Sequence, residues 1–400
     1  MQVTLAASGG GSWTTMTEDC RSALMGATCI IGACRLLEGL PSECTQQRIQ
    51  ATRPQQIIET IQQLQPQNCV VLYSGDTGFH SGVRSLVPLL QQEGIEFRVL
   101  PGISSVQLLA AALNRPWQDW LLLSAHGVNC NPVGAVMQGK PVFFLTGGTL
   151  TPTDLCRQLT QAGLGQLSVV VGENLSYPEQ RICQGTAETL AQQTFADLSV
   201  MLVEPAPAVV RRGYGFPDSM FERAQVPMTK QEVRAAILAN LTPKPTDILW
   251  DVGAGTGSVS IELALAAPWG RTYAIECNEK AVELIQTNRE KLGAWNLKVI
   301  EGYAPQALEE LETPDAVFIG GTKGSMEDVV NLVLQRNPKA RICISAICIE
   351  TLYQAVQALQ NHGIQPEVTQ IAVSRSKLVG SLHMMMANNP IFLVMGNCDD

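Results

Sequence analysis

The run Asp247-Ile-Leu-Trp-Asp-Val-Gly-Ala-Gly-Thr-Gly-Ser-Val-Ser260 constrains this chain more than any other stretch. Ile248 to Val252 is apolar enough for a buried parallel strand, and Gly253, Gly255 and Gly257 follow it at alternate positions. Three residues without side chains let a tight turn pass close to a ligand before a helix begins. A nucleotide-like cofactor suits such a turn. A dinucleotide site wants Gly-x-Gly-x-x-Gly with a pyrophosphate on the helix N-terminus; here the spacing is Asp-x-Gly-x-Gly-x-Gly, with an acid closing the strand. The next apolar run ends at Glu276, about 20 residues on, where a carboxylate at a strand end can accept both hydroxyls of a ribose.

Four hundred residues predict two or three domains. Hydrophobic residues make up 46% and charged residues 16%, which suits large buried cores and excludes a disordered chain. Strand-like and helical patterns alternate from end to end, predicting parallel α/β architecture throughout. Prolines break the pattern at Glu204-Pro-Ala-Pro-Ala208, which sets a first domain at 1–205 and a second at 206–400. In the second, the expected order is helix 230–241, strand 248–252, a helix to Ala267, strand 272–276, helix 280–292, and strands 297–301, 316–320, 340–345, 367–373 and 391–395. That is a seven-stranded sheet.

The net charge of −9, with no basic run longer than Arg211-Arg212, argues against a nucleic-acid partner. A few local arginines could still hold a polycarboxylate. The twelve cysteines include no Cys-x-x-Cys, so no metal site is expected. Pairs such as Cys29 with Cys34 and Cys343 with Cys348 sit in or near apolar runs, and predict buried thiols in a reducing cytoplasm. No apolar stretch is long enough to span a bilayer, and the N-terminus has no charged leader segment.

Upstream, Val70-Val-Leu-Tyr73 runs into Ser74-Gly-Asp-Thr-Gly-Phe-His80, and Phe97-Arg-Val-Leu100 into Pro101-Gly-Ile-Ser-Ser105. Strands ending in small and hydroxyl residues mark where open α/β sheets bind ligands, so a second site is expected.

The glycine turn resembles the S-adenosylmethionine (SAM) turn of Rossmann-like methyltransferases. The upstream loops, with Pro116-Trp-Gln-Asp119, Ser124-Ala-His-Gly127 and Val171-Gly-Glu-Asn174, look like the tetrapyrrole methylase fold. Downstream, Val226-Pro-Met-Thr-Lys230, Ile319-Gly-Gly-Thr-Lys-Gly324 and Asn389-Pro-Ile-Phe392 resemble a decarboxylating partner. In this order the motifs are similar to the precorrin-6Y C(5,15)-methyltransferase (decarboxylating) family of cobalamin biosynthesis, over nearly the whole chain. The resemblance implies a two-lobed tetrapyrrole methylase domain followed by a Rossmann-like seven-stranded methyltransferase domain. The first would methylate carbon 5 of a corrin-type ring, and the second would methylate carbon 15 and decarboxylate a ring acetate.

It also implies roles. Gly253, Ala254, Gly255, Thr256 and Gly257 would hold the methionine part of SAM, Glu276 the ribose, and Thr229 and Ala304 would line the same pocket. Ser74, Gly75, Asp76, Ser104 and Ser105 match the two SAM loops of the first domain. Two departures stand out: the first strand ends in Ser8-Gly-Gly-Gly-Ser12 rather than Gly-x-Gly-Pro-Gly, and Tyr303 stands where relatives often carry an acid near adenine. Carboxylates of the ring would meet cations, with Arg84 and Arg115 the candidates in the first domain and Arg375 and Lys377 in the second. Lys323 either meets a substrate carboxylate or is solvated, and His80 and His126 either shuttle protons or serve their loops. A homo-oligomer is expected. Two other readings stay open: an RNA or protein methyltransferase, and a SAM-binding scaffold in which one half is inert.

Overall fold

The computed structural model describes residues 1–126, 130–148, 150–210 and 213–397. Gly127 of the Ser-Ala-His-Gly run and the Arg211-Arg212 pair lie outside them. The chain divides into two compact units, one of Met1–Cys130, Lys140–Thr160 and Gly165–Glu204, the other of Asn131–Gly139, Gln161–Leu164 and Pro205–Asp400.

The first unit holds two five-stranded sheets. Strands β1 (Gln2–Ala7), β2 (Cys29–Gly32), β3 (Gln47–Gln50), β4 (Asn68–Tyr73) and β5 (Phe97–Leu100) pair in the order β3-β2-β4-β1-β5, all parallel. Parallel pairing puts the carboxyl ends of β1, β2, β4 and β5 on one edge. Loops 8–12, 33–35, 74–76 and 101–105 therefore open on the same side. The second sheet uses β6 (Leu121–Ser124), β7 (Val142–Leu145), β8 (Ser168–Glu173), β9 (Arg181–Thr186) and β10 (Ser199–Val203) in the order β6-β7-β10-β8-β9. Only β6 and β7 run parallel. The expectation of parallel sheets throughout fails here because the link from β8 to β9 is too short for a crossover and closes as a hairpin.

The second unit is a seven-stranded sheet built from β11 (Ile248–Val252), β12 (Arg271–Glu276), β13 (Leu297–Glu301), β14 (Ala316–Ile319), β15 (Arg341–Ala346), β16 (Glu367–Ile371) and, after the hairpin strands β17 (Ser374–Val379) and β18 (Leu382–Ala387), β19 (Ile391–Gly396). The order is β13-β12-β11-β14-β15-β19-β16, with β19 antiparallel to both neighbours. Alternate residues serve opposite faces. Leu249, Phe318, Cys343 and Leu393 pack on the helix Gln231–Leu241, whereas Trp250, Val317, Ile342 and Val394 pack on the helices Met326–Arg336 and Ile349–Asn361. Both faces are covered, which is why the central strands read as unbroken apolar runs.

Among the described residues no helix is long and apolar enough to cross a membrane. Cys29 and Cys343 are buried, but Cys34 and Cys348 are exposed. Both exposed thiols lie past the ends of their strands, where the chain has turned outward to begin a helix.

Candidate active sites

In the second unit the turn after β11 needs its glycines. Gly253, Gly255 and Gly257 have φ of 76°, 57° and 75°, the left-handed region that side chains disfavour. A Cβ on Gly253 would lie 2.4 Å from the carbonyl oxygen of Gly321, so the two loops meet backbone to backbone. Gly253→Ala is expected to cost about 1 to 3 kcal/mol in the second unit and to part these loops; a urea titration showing an unchanged unfolding midpoint would contradict this.

Glu276 ends β12 and is tied to the turn. Its Oε2 accepts from the Gly255 N–H at 2.8 Å, and its Oε1 from the N–H groups of Cys277 and Asn278 at 2.9 Å each. An ionised carboxylate offers about four lone-pair sites, so acceptor capacity remains. A cavity of about 200 Å³ opens beside it, lined by Gly253, Glu276, Cys277, Tyr303, Ala304 and Lys323 among others. The Lys323 ammonium sits 5.3 Å from the centre of the Tyr303 ring. A hydrogen bond with the Cys277 thiol, helped by nearby Tyr303 and Glu276, holds that ammonium above the usual lysine range.

Thr229 lies elsewhere. It lines a separate cavity of about 220 Å³ with Met228, Lys230, Ser345 and Asn388. The glycine turn approaches the Thr229 segment, since a Cβ on Gly255 would lie 3.3 Å from the Pro227 carbonyl oxygen. What fixes that segment is Arg234, a residue the sequence reading did not single out. Its fully buried guanidinium donates to Glu262 at 2.7 Å, to Asp218 at 3.0 Å and to the carbonyls of Thr229 and Phe216, with the Phe221 ring 4.7 Å away. Arg375, on β17, is bound to Glu232 through both carboxylate oxygens and to Asp218 at 3.1 Å. Lys377 is exposed on the same strand and lines neither cavity.

Asp251, fully buried in β11, accepts from the Ser260 hydroxyl. Burial pushes its carboxyl up to about 7, against the Ser260 hydrogen bonds and with the help of the Glu276 charge. The folded chain thus keeps a proton there that the unfolded chain has already lost, so this group makes stability fall as pH rises from about 4 to about 7. Asp251→Asn is expected to gain about 2 to 3 kcal/mol on the parent between pH 5 and pH 8. Urea denaturation at the two pH values checks it, and a difference that does not change with pH would contradict it.

In the first unit, Ser74, Gly75, Asp76, Ser104 and Ser105 all line one cavity of about 330 Å³ between its two sheets. Asp76 braces the cavity floor, accepting from the N–H groups of Gly78 at 2.8 Å and Gly102 at 3.0 Å. Gly75 exchanges backbone hydrogen bonds with Gly9 at 3.0 and 3.1 Å, which joins the loop after β4 to the glycine loop after β1. Ser104 starts the helix Ser105–Ala112 with a capping box completed by Gln107. His80 and His126 line the cavity too. Arg84 and Arg115 do not, and Arg115 is paired with Glu204. The arginine that does line it is Arg35. The signal was available, since Arg35 closely follows the carboxyl end of a parallel strand, as Ser74 and Asp76 do.

Comparison with known proteins identifies the family of each half of the chain. The profile of the tetrapyrrole (corrin/porphyrin) methylases matches residues 2–191, and that of the precorrin methyltransferase domain matches residues 219–396. A precorrin-6Y C(5,15)-methyltransferase (decarboxylating) of Sinorhizobium sp is 32% identical over 318 residues, 78% of this chain and 76% of the relative. One from Mycobacterium tuberculosis is 31% identical over 78% of this chain and 79% of the relative. A probable cobalt-precorrin-6B C(15)-methyltransferase (decarboxylating) of Pyrobaculum calidifontis is 40% identical over 183 residues, 45% of this chain and 94% of the relative. A chain carrying both domain types in this order, and alignable with the two-domain relatives over most of its length, belongs to the precorrin-6Y C(5,15)-methyltransferase (decarboxylating) family.

Proposed function

We propose that each unit binds SAM and that the chain methylates carbons 5 and 15 of a corrin-type tetrapyrrole, the first unit acting at carbon 5. The second unit then acts at carbon 15 and removes carbon dioxide from a ring acetate. The observation that carries this reading is that each unit has a cavity at the carboxyl edge of a parallel sheet, lined by glycine and hydroxyl loops. The residues fit the donor. In the second unit the turn is a cradle that a Cβ would fill, Glu276 keeps lone pairs for ribose hydroxyls, and the Thr256 hydroxyl is buried without a hydrogen-bond partner. In the first unit Ser74, Gly75, Asp76, Ser104 and Ser105 take the corresponding part. When bound, SAM supplies an activated methyl cation equivalent with a neutral leaving group.

The protein's own work is alignment and exclusion of water, because such a transfer needs an acceptor carbon held in line at about 3 to 3.5 Å. Gly253 and Gly321 meet backbone to backbone and fix one wall of the second site. Tyr303 and Lys323, the ammonium 5.3 Å from the ring centre, line the same cavity, and Lys323 would meet a carboxylate of the tetrapyrrole. In the decarboxylation, the bond to the carboxylate carbon breaks and its electron pair passes into the conjugated ring as carbon dioxide leaves. Twelve cysteines without a Cys-x-x-Cys spacing suit a reducing cytoplasm. Calorimetric titration of the full chain with SAM tests the reading: two sites per chain are expected, and one site or none would contradict it.

A further inference from the structure

We infer that Arg35 is the residue of the first unit that grips a carboxylate arm of the tetrapyrrole. The inference rests on the reading of that unit as a tetrapyrrole methylase and assigns one residue to its substrate side. The acidic and basic side chains lining the cavity are Arg35, Asp76 and Asp197, with the imidazoles of His80 and His126. Asp76 is occupied on both carboxylate oxygens by backbone N–H groups. Arg35 is different. It donates from Nη1 to the Tyr177 hydroxyl at 2.7 Å and from Nη2 to the Ser74 hydroxyl at 3.4 Å, and neither partner carries charge.

Four other arginines of this unit are neutralised, Arg21 by Glu18, Arg115 by Glu204, Arg157 by Asp154 and Arg181 by Glu173, and none of Arg48, Arg53, Arg84 and Arg98 lines the cavity. Among the described residues no carboxylate pairs with Arg35. A guanidinium has five N–H donors, so two neutral hydroxyls leave three, enough for a two-point contact with a carboxylate. The Tyr177 and Ser74 hydroxyls hold the fork at the cavity rim, and Ser74 belongs to a loop given to the methyl donor. An arm seated on Arg35 would thus lie beside the donor.

The unusual loop Ser8-Gly-Gly-Gly-Ser12 serves the same contact. A Cβ on Gly11 would lie 1.9 Å from the Tyr177 hydroxyl, and one on Gly10 would lie 2.2 Å from the Ser176 hydroxyl. That hydroxyl donates to the Gly10 carbonyl at 2.7 Å. The loop must be bare for Tyr177 to reach Arg35. Gly11 thus leaves room for the Tyr177 hydroxyl that holds Arg35.

The test uses the full chain with Arg35→Ala, Arg35→Lys and Tyr177→Phe. Steady-state kinetics are run with the tetrapyrrole varied, and SAM binding is measured separately. Arg35→Ala is expected to raise KM for the tetrapyrrole about 10- to 100-fold, the effect of losing charge-assisted hydrogen bonds. SAM affinity should stay within about twofold, and methylation at carbon 15 with loss of carbon dioxide should persist. Arg35→Lys should recover part of the loss, since it keeps the charge without the fork, and Tyr177→Phe should show a smaller rise. An unchanged KM in Arg35→Ala would overturn the inference. So would a fall in SAM affinity matching the rise in KM, because Arg35 would then merely brace the Ser74 loop. A parent chain that methylates no tetrapyrrole would instead refute the underlying reading, and the inference with it.

Discussion

Replacing Glu276 with alanine is expected to weaken SAM binding in the second unit about 100-fold and leave the first unit unaffected. Two effects combine. A ribose held by a carboxylate loses hydrogen bonds to a charged group, worth about 1.5 to 3 kcal/mol together or singly, and 100-fold corresponds to about 2.7 kcal/mol. The turn also loosens, because the N–H groups of Gly255, Cys277 and Asn278 lose their common acceptor. Glu276→Gln keeps the volume and one acceptor oxygen, so a loss of about 10-fold is expected. Calorimetry should find one tight site per chain in Glu276→Ala where the parent has two. Two undiminished sites would remove Glu276 from the cofactor pocket.

The second large effect concerns stability. Arg234→Met is expected to destabilise the second unit by about 3 to 5 kcal/mol, the penalty for removing one partner of a buried ion pair. Glu262, buried at 2% exposure, would be left with the N–H groups of Gly215 and Phe216, at 2.6 and 2.9 Å. The Thr229 and Phe216 carbonyls would lose their donor. Because Asp218 also receives Arg375 from the exposed hairpin, the change should loosen the path from the cofactor turn to β17. Urea unfolding of the full chain should show the transition of the second unit moving to lower concentration while the other stays. With two units the curve is fitted as two transitions. A shift under about 1 kcal/mol would mean that the network contributes little.

The central strands of the second unit were legible because burial on both faces leaves continuous apolar runs, as at Ile248–Val252 and Ala316–Ile319. The glycine turn after β11 was legible because left-handed backbone demands glycine at fixed spacing. The hairpin β17 and β18 was not. Leu378, Leu382 and Met385 are exposed at 61%, 74% and 62%, so no face is buried to impose a period on the sequence. Strand direction in the second sheet of the first unit was hidden as well, since it depends on which strands meet, not on composition. Arg115 and Arg375 looked like free cations because their carboxylates, Glu204 and Glu232, lie 89 and 143 residues away along the chain. Arg35 could have been found by asking which cations follow the carboxyl ends of parallel strands.

If one chain carries two methylating units, one of which also decarboxylates, the mass of the product formed by the full chain from SAM and a precorrin-6-type tetrapyrrole will show it. Mass spectrometry should find a product that has gained two methyl groups and lost one carbon dioxide. A product with a single added methyl group and all its carboxylates would contradict it.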